Sequence, residues 1–521
     1  MRYRTWRVIV HLTVVALVIL VAAPVAQAAG PTVSNMKPTA SLHAARAVSR
    51  IPQGEAQARG THVEPFRPTL SPTAYTVAKR AAAVAQGSKP DSGPAPEAAP
   101  ILAGINAEGV NQATACTCAP PDTHGAVGRK HFVEITNRHV DIYTKASSPV
   151  HVKGVSLASF FGYTTKPLFD PRVVYDTTWN RWIITADSEA EGATLQKFHI
   201  AVSQTSDPTK GFWIYRLNVG FQGQFFDFPD VGMDQDAVLF SANMFDHSGA
   251  TFQNAEAFGV AKAALYNGLS WGVPIFAGFS VGTVAPPIVL DNAENAYFVS
   301  AAPSGTHVYL YQAHDMGRSG ATISSAIAVT VPSFSLPPNA PQPGVTDLID
   351  TADARFQNAG YQTGTSLFQV HTVTLGSYAV ARWYEIDTAA SALVQVGTFY
   401  ASSTSFDFNP SIAANRSRDV FVTWSSTDVH AKPQVRVSGR RHNDTLDSIS
   451  GGSALYTSPR SLRTALEPER WGDYSAVSLD PSAYGSCAAG QRAWIVNEKV
   501  ATSTTASSTR WGTRFARIGF C

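Results

Sequence analysis

A two-strand pattern recurs along most of this 521-residue chain. In each copy an alternating apolar strand is followed by a few turn residues and a second apolar strand. The intervals between copies range from 48 to 66 residues. Such a period, with several short strands per unit, is the sequence signature of a β-propeller. The copies begin near Asp122, Asp170, Asp230, Pro287, Asp353, Asn409 and Asp473.

The pattern predicts an all-β fold, a seven-bladed β-propeller over residues 101–521. Six or eight blades are the alternatives, because the copies that begin at Asp122 and Asp353 are weak. A pair of β-sandwiches would also have alternating strands and short turns. In five copies, however, the first strand ends in Asp or Asn, and these side chains cap turns that a propeller builds alike in every blade. These residues are Asp176, Asp234, Asp291, Asn415 and Asp480.

The first hundred residues differ from the repeats. Three arginines precede an apolar run, Val8 to Val21, and a small-residue A-x-A site follows, which is the order of a signal peptide over residues 1–28. A membrane anchor is the weaker alternative, because the next segment is uncharged. Residues 29–100 are rich in Ala, Pro and Ser and lack strand alternation. We predict a disordered leader or pro-segment there, with room for a short helix over 75–86.

Export and composition limit the function classes. We expect a monomeric protein that is secreted, extracellular or periplasmic, with no membrane span after signal cleavage. The net charge is +2 and only 15% of the residues are charged, so the chain lacks the basic surface of a nucleic-acid-binding protein. The expected partner is therefore an extracellular glycan or protein.

The four cysteines indicate disulfides in an oxidising compartment. They are Cys116, Cys118, Cys487 and Cys521, and three pairings are open. Residues i and i+2 of an extended strand lie roughly 6.5–7 Å apart, too far for an unstrained bridge between the first two. We therefore predict at least one bridge from the first pair to the last, which would close the ring. The C-x-C spacing does not suit zinc, and no metal site is predicted there.

Three local motifs carry a resemblance to a known family. The chain has PPDTHGAVG at 120–128, DPRVVYDTTWNRW at 170–182 and RWGDYS at 470–475. On these motifs, residues 110–521 resemble a family of secreted bacterial β-propeller proteins of unassigned function. The turn from Asp207 to Trp213 is more distantly similar to the Asp box of sialidase-type propellers, but Pro208 follows the Asp and Phe212 replaces Thr. In that fold the Asp box braces a turn, so the similarity implies architecture and no activity.

Charged and aromatic residues at the starts of the first strands form the candidate site. Their types resemble a sialidase site, which has three arginines, a tyrosine with an acidic partner and an aspartic acid. The Arg-Ile-Pro start of that family is absent, and pairing of Arg470 with Asp473 is the alternative that we favour over catalysis. The candidate ligand-binding residues are Asp122, Arg172, Arg355, Arg470 and Trp471. The candidate catalytic residues are Asp170, Asp230, Glu469, Asp473 and Tyr474.

Two functional hypotheses follow. The first is a secreted propeller that binds a glycan or a protein at its central mouth. The alternative is a glycan-cleaving enzyme of sialidase-like architecture, a glycoside hydrolase that would need two carboxyl groups at catalytic distance. No cofactor is firmly implied. Calcium is compatible with the acidic residues, although the sequence contains no EF-hand loop.

Overall fold

The structure, a computed structural model, is nearly all-β. The predicted signal peptide lies outside the described residues. No helix in the described part of the chain is long and apolar enough to cross a membrane. The described residues are 30–33, 39–53, 57–89, 101–220, 222–449, 451–464, 466–501 and 509–521.

Short elements precede the repeats. They are β1 (Thr32–Val33), β2 (Thr39–Ala40), β3 (Ala44–Ala47), a 3-10 helix (Val48–Arg50), β4 (Gln57–Val63), α1 (Pro72–Ala83), β5 (Ile101–Asn111), α2 (Gln112–Ala115) and β6 (Cys116–Ala119).

The repeats form successive groups of strands, which we number as units. Unit 1 has β7 (His124–Val127), β8 (His131–Thr136), β9 (His139–Thr144) and β10 (His151–Ser156), followed by α3 (Leu157–Phe161). Unit 2 has β11 (Leu168–Asp176), β12 (Arg181–Ser188), β13 (Lys197–Ser203) and β14 (Gly211–Asn218). Unit 3 has β15 (Gln224–Met233), β16 (Ala237–Asp246), β17 (Phe252–Ala261), α4 (Lys262–Leu265), β18 (Trp271–Gly272) and β19 (Phe276–Phe279).

The second half of the chain continues the same order. Unit 4 has β20 (Pro287–Val289), β21 (Asn295–Ala301), β22 (Gly305–His314), β23 (Thr322–Ile323) and β24 (Ile327–Phe334). Unit 5 has β25 (Gly360–Thr363), β26 (Ser366–Leu375), β27 (Tyr378–Asp387) and β28 (Ala392–Phe399). Unit 6 has β29 (Phe406–Ala414), β30 (Val420–Thr427), β31 (Gln434–Arg440) and β32 (Ser453–Thr457). Unit 7 has β33 (Ala476–Leu479), β34 (Arg492–Val500) and β35 (Trp511–Gly519).

The first strands of the units contact one another in a closed cycle. The order is β7, β11, β15, β20, β25, β29 and β33, and β33 returns to β7. Where neighbouring first strands pair, they are parallel: Ile288 of β20 is opposite Met233 of β15 and Tyr361 of β25. The first strands therefore run in one direction around the centre. We call the end where they begin the start side, and the end where they finish in hairpin turns the turn side.

The predicted Asx turns are confirmed. Asp176 Oδ1 accepts hydrogen bonds from the amides of Thr178 and Trp179, at 2.9 and 3.0 Å. Asn415 Oδ1 accepts in the same way from Ser417 and Asp419. The same side-chain oxygen caps the turn at the three other positions, Asp234, Asp291 and Asp480. The repeated residue is thus explained by turn construction.

The core lies between neighbouring units. Trp182, Trp424 and Trp494 are completely buried. Trp182 packs with Val133 of unit 1 in one apolar cluster, although it belongs to unit 2. Burial of such large aromatic side chains dominates packing energetics, so each unit depends on its neighbours for a closed core.

The predicted long-range disulfide is wrong. The bridges are Cys116–Cys118 and Cys487–Cys521, both local. The Cα atoms of the first pair are 5.2 Å apart, so the chain is not fully extended there, directly after α2. The two ends of the ring are joined by β5, which pairs antiparallel with β35 along the outer edge of unit 7. Backbone pairing therefore supplies the closure that the disulfide was expected to provide.

The prediction of a disordered leader is wrong for the leader residues that the structure describes. β3 pairs with β14 at the outer edge of unit 2, and β1 pairs with β19 of unit 3. An outer strand presents unpaired backbone groups, and the leader satisfies them without any apolar periodicity of its own. Helix α1 begins after Ser71, whose hydroxyl accepts a hydrogen bond from the Ala74 amide, and buries Lys79.

Candidate functional site

Each unit is entered through a residue in the left-handed backbone region. Asp122, Asp170 and Asn409 have φ values of 44°, 47° and 51°, which is uncommon for residues other than glycine. In units 2, 3 and 6 the strand register shifts at this point, as at a β-bulge. Bulges re-aim side chains and are frequent beside functional sites. The corresponding residues of the other units are Phe228, Thr283, Ala352 and Gly472.

Three carboxylates from different units meet at the start side. Asp122, Asp170 and Asp473 are all buried, and each offers an oxygen within 4.8 Å of the others. Asp122 Oδ1 accepts from the Asp473 amide at 2.7 Å, and its Oδ2 accepts from Asn137 Nδ2 at 2.5 Å. The Tyr474 hydroxyl donates to Asp170 Oδ2 at 2.7 Å. We call these three aspartates the acidic cluster; it joins units 1 and 2 to the segment that leads into unit 7.

Burial and like charges act on the acids in and around this cluster. Burial raises the pKa of Asp122 to about 7, and the negative charge of Asp473 adds to the shift. The pKa of Asp170 is raised well above its ordinary value by burial and by the charges of Asp227 and Asp122. Burial likewise raises the pKa of Glu498, beside Asp122. Burial and the neighbouring charges therefore favour the protonated forms of these three acids.

Arg172 is held by main-chain carbonyls and an amide. Its guanidinium donates to Pro229 O at 2.8 Å, to Gln357 O at 2.9 Å and to Asn358 Oδ1 at 2.9 Å. Its carbon Cζ lies 3.4 Å from the centre of the Tyr474 ring. All of these partners belong to other units, so this arginine ties units together from the centre.

The other two candidate arginines form ion pairs. Arg355 binds Asp353 through two bonds, Nε to Oδ1 at 2.7 Å and Nη2 to Oδ2 at 2.8 Å. Arg470 Nη2 lies 2.9 and 3.0 Å from the two carboxylate oxygens of Asp473. The pairing of Arg470 with Asp473 is the alternative that the sequence analysis favoured over catalysis.

Three further candidates have structural contacts elsewhere. Glu469 accepts a hydrogen bond from the Thr464 amide at 2.8 Å. Trp471 is completely buried and donates from Nε1 to Ser425 Oγ at 2.9 Å, so its ring is inside the core. Asp230 accepts a bond from the amide of the next residue, and burial raises its pKa to about 6. The sequence could not separate these positions from the acidic cluster, because all of them were assigned to the beginning of a predicted first strand or to the residues just before it.

The leader covers the start side. Arg67 Nη1 lies 3.1 Å from Asp227 Oδ1, and the Arg67 carbonyl accepts a hydrogen bond from Arg355. The Phe66 ring centre lies 4.7 Å from the Arg355 Cζ and 5.5 Å from that of Arg470. The candidate site predicted from the sequence is therefore beneath the leader.

A cavity of about 660 Å³ lies at the turn side. Its apolar lining comes from the last residues of the first strands, such as Val173 and Ile412. Polar and aromatic groups include Trp179, which is 57% exposed, and Arg416. His124 also lines it, with a pKa lowered to about 3 by burial and by the charge of Arg172, so its ring is neutral.

None of the residues predicted to bind ligand lines this cavity. The predicted site residues lie near the beginnings of first strands, whereas most cavity residues lie near the ends of these strands or in the turns that follow. The repeated Asx residues marked this end of the strands. The turn after Asp176, which carries Trp179, was the signal that could have identified it.

A scan against protein-family models and a search of curated proteins found no match. Among solved structures, the chain is similar to the exo-β-1,3-galactanase of Phanerochaete chrysosporium, with 11% identity, coverage of 81% of this chain and 96% of that one, and a TM-score of 0.32.

Two other solved structures are similar at the same level. The Trypanosoma rangeli sialidase has 11% identity and a TM-score of 0.35, over 77% of this chain and 59% of that one. The parainfluenza virus 5 hemagglutinin-neuraminidase has 8% identity and a TM-score of 0.35, over 85% and 96% of the two chains. Similarity at this level carries no information on activity.

Proposed function

We propose that this chain is a secreted, seven-bladed β-propeller that binds an extracellular glycan in the cavity at its turn side. The closed cycle of first strands supports seven blades. The two disulfides support a location outside the cytoplasm, where such bonds persist.

The cavity is the observation that carries the binding function. Its volume is within the range of roughly 300–1,000 Å³ that is usual for small-ligand sites. An exposed indole can stack on the apolar face of a sugar ring, while amides and charged groups bind its hydroxyls. Trp179 supplies the indole, and the polar groups include Gln235, Asn292, Arg416 and Gln491.

Binding is favoured over hydrolysis. A glycosidase needs two carboxyl groups that flank an accessible bond. The acidic cluster is buried and lies beneath Phe66 and Arg67 of the leader. In the cavity, Asp234, Asp291 and Asp480 cap their own turns. These carboxylates are engaged in structure, which supports a binding protein.

The test is a glycan array probed with the purified protein, followed by calorimetric titration of the best ligand. We expect Trp179→Ala to weaken binding at least tenfold, because it removes the stacking surface. Leu446→Ala is the matched control, since Leu446 is 59% exposed and does not line the cavity. Chromogenic glycosides assayed in parallel should remain uncleaved. An array without a single bound glycan, or a ligand bound equally by both variants, would rule out this function.

A further inference from the structure

We propose that the acidic cluster, Asp122, Asp170 and Asp473, binds one calcium ion that fastens the end of the ring to its beginning. None of these residues lines the turn-side cavity, so the proposal does not depend on the proposed glycan binding.

A fourth carboxylate next to the cluster lacks partners of its own. Glu498 is 1% exposed, and neither of its carboxylate oxygens has a hydrogen-bond partner among the described residues. A β-carbon on Gly472 would lie 2.9 Å from Glu498 Oε2 and 3.7 Å from Asp122 Oδ1. The two carboxylates therefore face the same small space, which Gly472 leaves open because it has no side chain. A buried polar group without a partner is costly, and a cation in this space would supply one.

A second buried carboxylate near the cluster also lacks hydrogen-bond partners among the described residues. Both carboxylate oxygens of Asp187 lack a hydrogen-bond partner in the described part of the chain, and this side chain is completely buried. Asp187 is opposite Phe169 in the pairing of β11 with β12, next to Asp170. Carboxylate oxygens without hydrogen-bond partners thus lie near Asp122 and near Asp170.

The charge and the donor atoms favour calcium. Arg470 offsets the charge of Asp473, but Asp122, Asp170 and Glu498 lie in the same buried region. The donors are oxygens, without an imidazole or thiolate, which suits a hard cation. Calcium holds its ligands at roughly 2.3–2.6 Å, so ligands on opposite sides lie up to roughly 5 Å apart. The cluster oxygens lie within 4.8 Å of one another, so one calcium ion can contact all three carboxylates. Magnesium is less suited to a site built from protein oxygens alone, because it gives up its water ligands reluctantly.

The position of the ion gives it a defined role. Asp122 precedes unit 1, Asp170 is in unit 2, and Asp473 precedes unit 7. One ion bound to all three would join the two ends of the ring at the centre, while the pairing of β5 with β35 joins them at the outer edge. Calcium should therefore stabilise the whole ring.

The experiment measures thermal unfolding of the purified full chain after removal of metals with EDTA. We expect millimolar calcium to raise Tm by about 5 °C, the shift for a ligand well above its Kd, with a smaller effect of magnesium. Metal analysis of the calcium-loaded protein should find one calcium per chain.

Variants connect this response to the cluster. Asp122→Asn should lose most of the calcium-dependent rise in Tm, and Glu498→Gln should reduce it. Asp207→Asn is the control, because Asp207 braces an outer turn through Thr209, and it should respond like the wild type. If Asp122→Asn does not fold, the test rests on two other measurements. These are the calcium content of the wild type and the calcium-dependent rise in Tm of Glu498→Gln. Absence of bound calcium, or an equal effect of calcium and magnesium, would overturn the proposal.

Discussion

The start side and the turn side of the ring use the same repeat in opposite ways. At the start side, the left-handed residues bring charged side chains from different units into contact, and the leader buries them. At the turn side, each Asx residue binds the amides of its own turn, and the centre stays open as a cavity. Contacts between charged side chains of different units affect the stability of the whole ring. An Asx side chain whose oxygen caps its own turn leaves the side chains around it accessible to a ligand. The start side should therefore govern stability and the turn side should govern binding.

The largest expected effect comes from the leader at the start side. Lys89 Nζ lies 3.5 Å from Asp407 Oδ2, and both side chains are completely buried. Lys89→Met should lower the free energy of unfolding by about 3–5 kcal/mol, because it leaves Asp407 as an uncompensated buried charge. Chemical denaturation measures this loss. The exposed Lys210→Met is the control, and Lys89→Met combined with Asp407→Asn should recover part of the stability. An unchanged unfolding midpoint for Lys89→Met would mean that the leader is not docked.

A second prediction concerns buried acid in unit 1. Burial raises the pKa of Glu134 to about 8, although bonds from Thr513 and the Val110 amide lower it. Between the unfolded pKa near 4.3 and the folded value, the native state keeps a proton that the unfolded state has lost, so stability falls as pH rises. Glu134→Gln cannot ionise at this position, so its stability should not fall in this way. Its free energy of unfolding relative to that of the wild type should increase by about 3 kcal/mol from pH 5 to pH 8. Equal differences between the two proteins at both pH values would contradict the assignment.

A third prediction separates the two disulfides. Cys487–Cys521 encloses a longer loop than Cys116–Cys118. Replacing Cys487 and Cys521 by alanine should cost about 2–4 kcal/mol, because the unfolded chain gains conformational freedom. Replacing Cys116 and Cys118 by alanine should cost less. Calorimetry of the two double variants makes the comparison, and a larger loss for the shorter loop would show that the chain-entropy argument does not apply here.

The smallest stability effect is expected at the turn side. Trp179 is 57% exposed, so Trp179→Ala should change the free energy of unfolding by less than about 0.5 kcal/mol. The same variant is expected to lose glycan binding. Denaturation and calorimetric titration of one preparation test both statements. A large loss of stability would show that the indole is part of the core, and the contrast between the two sides would fail.

Local chemistry explains which parts of the fold could be predicted. The strand pairs and their Asx turns are encoded within a few residues, and the structure has them where the sequence places them, as at Asp176 and Asn415. The closing strand β5 and the cysteine pairing depend on which distant segments meet. The pattern of apolar residues does not show which distant segments meet, so the long-range disulfide was predicted wrongly.

The leader and the candidate site illustrate the same limit. β3 binds the ring through backbone hydrogen bonds to β14, and Lys89 binds it through its ammonium group at Asp407. Neither contact requires an apolar pattern, so the sequence of the leader gave no sign of it. The start residues could be selected because they recur at the same place in each repeat. Which of them would touch depended on the left-handed residue at the entry to each unit. Which end of the ring would stay open depended on the path of the leader.

The pairing of β5 with β35 has a consequence for how the chain folds. Phe515 of β35 is opposite Ala107 of β5, a separation of roughly four hundred residues. Contacts of such long range are slow to form, because most of the loop must be ordered first. Residues 101–111 therefore keep an unpaired edge until residues 511–519 have been synthesised and have paired with them. During that interval the unpaired edge can pair with other chains, so a chaperone that kept the chains apart would reduce aggregation.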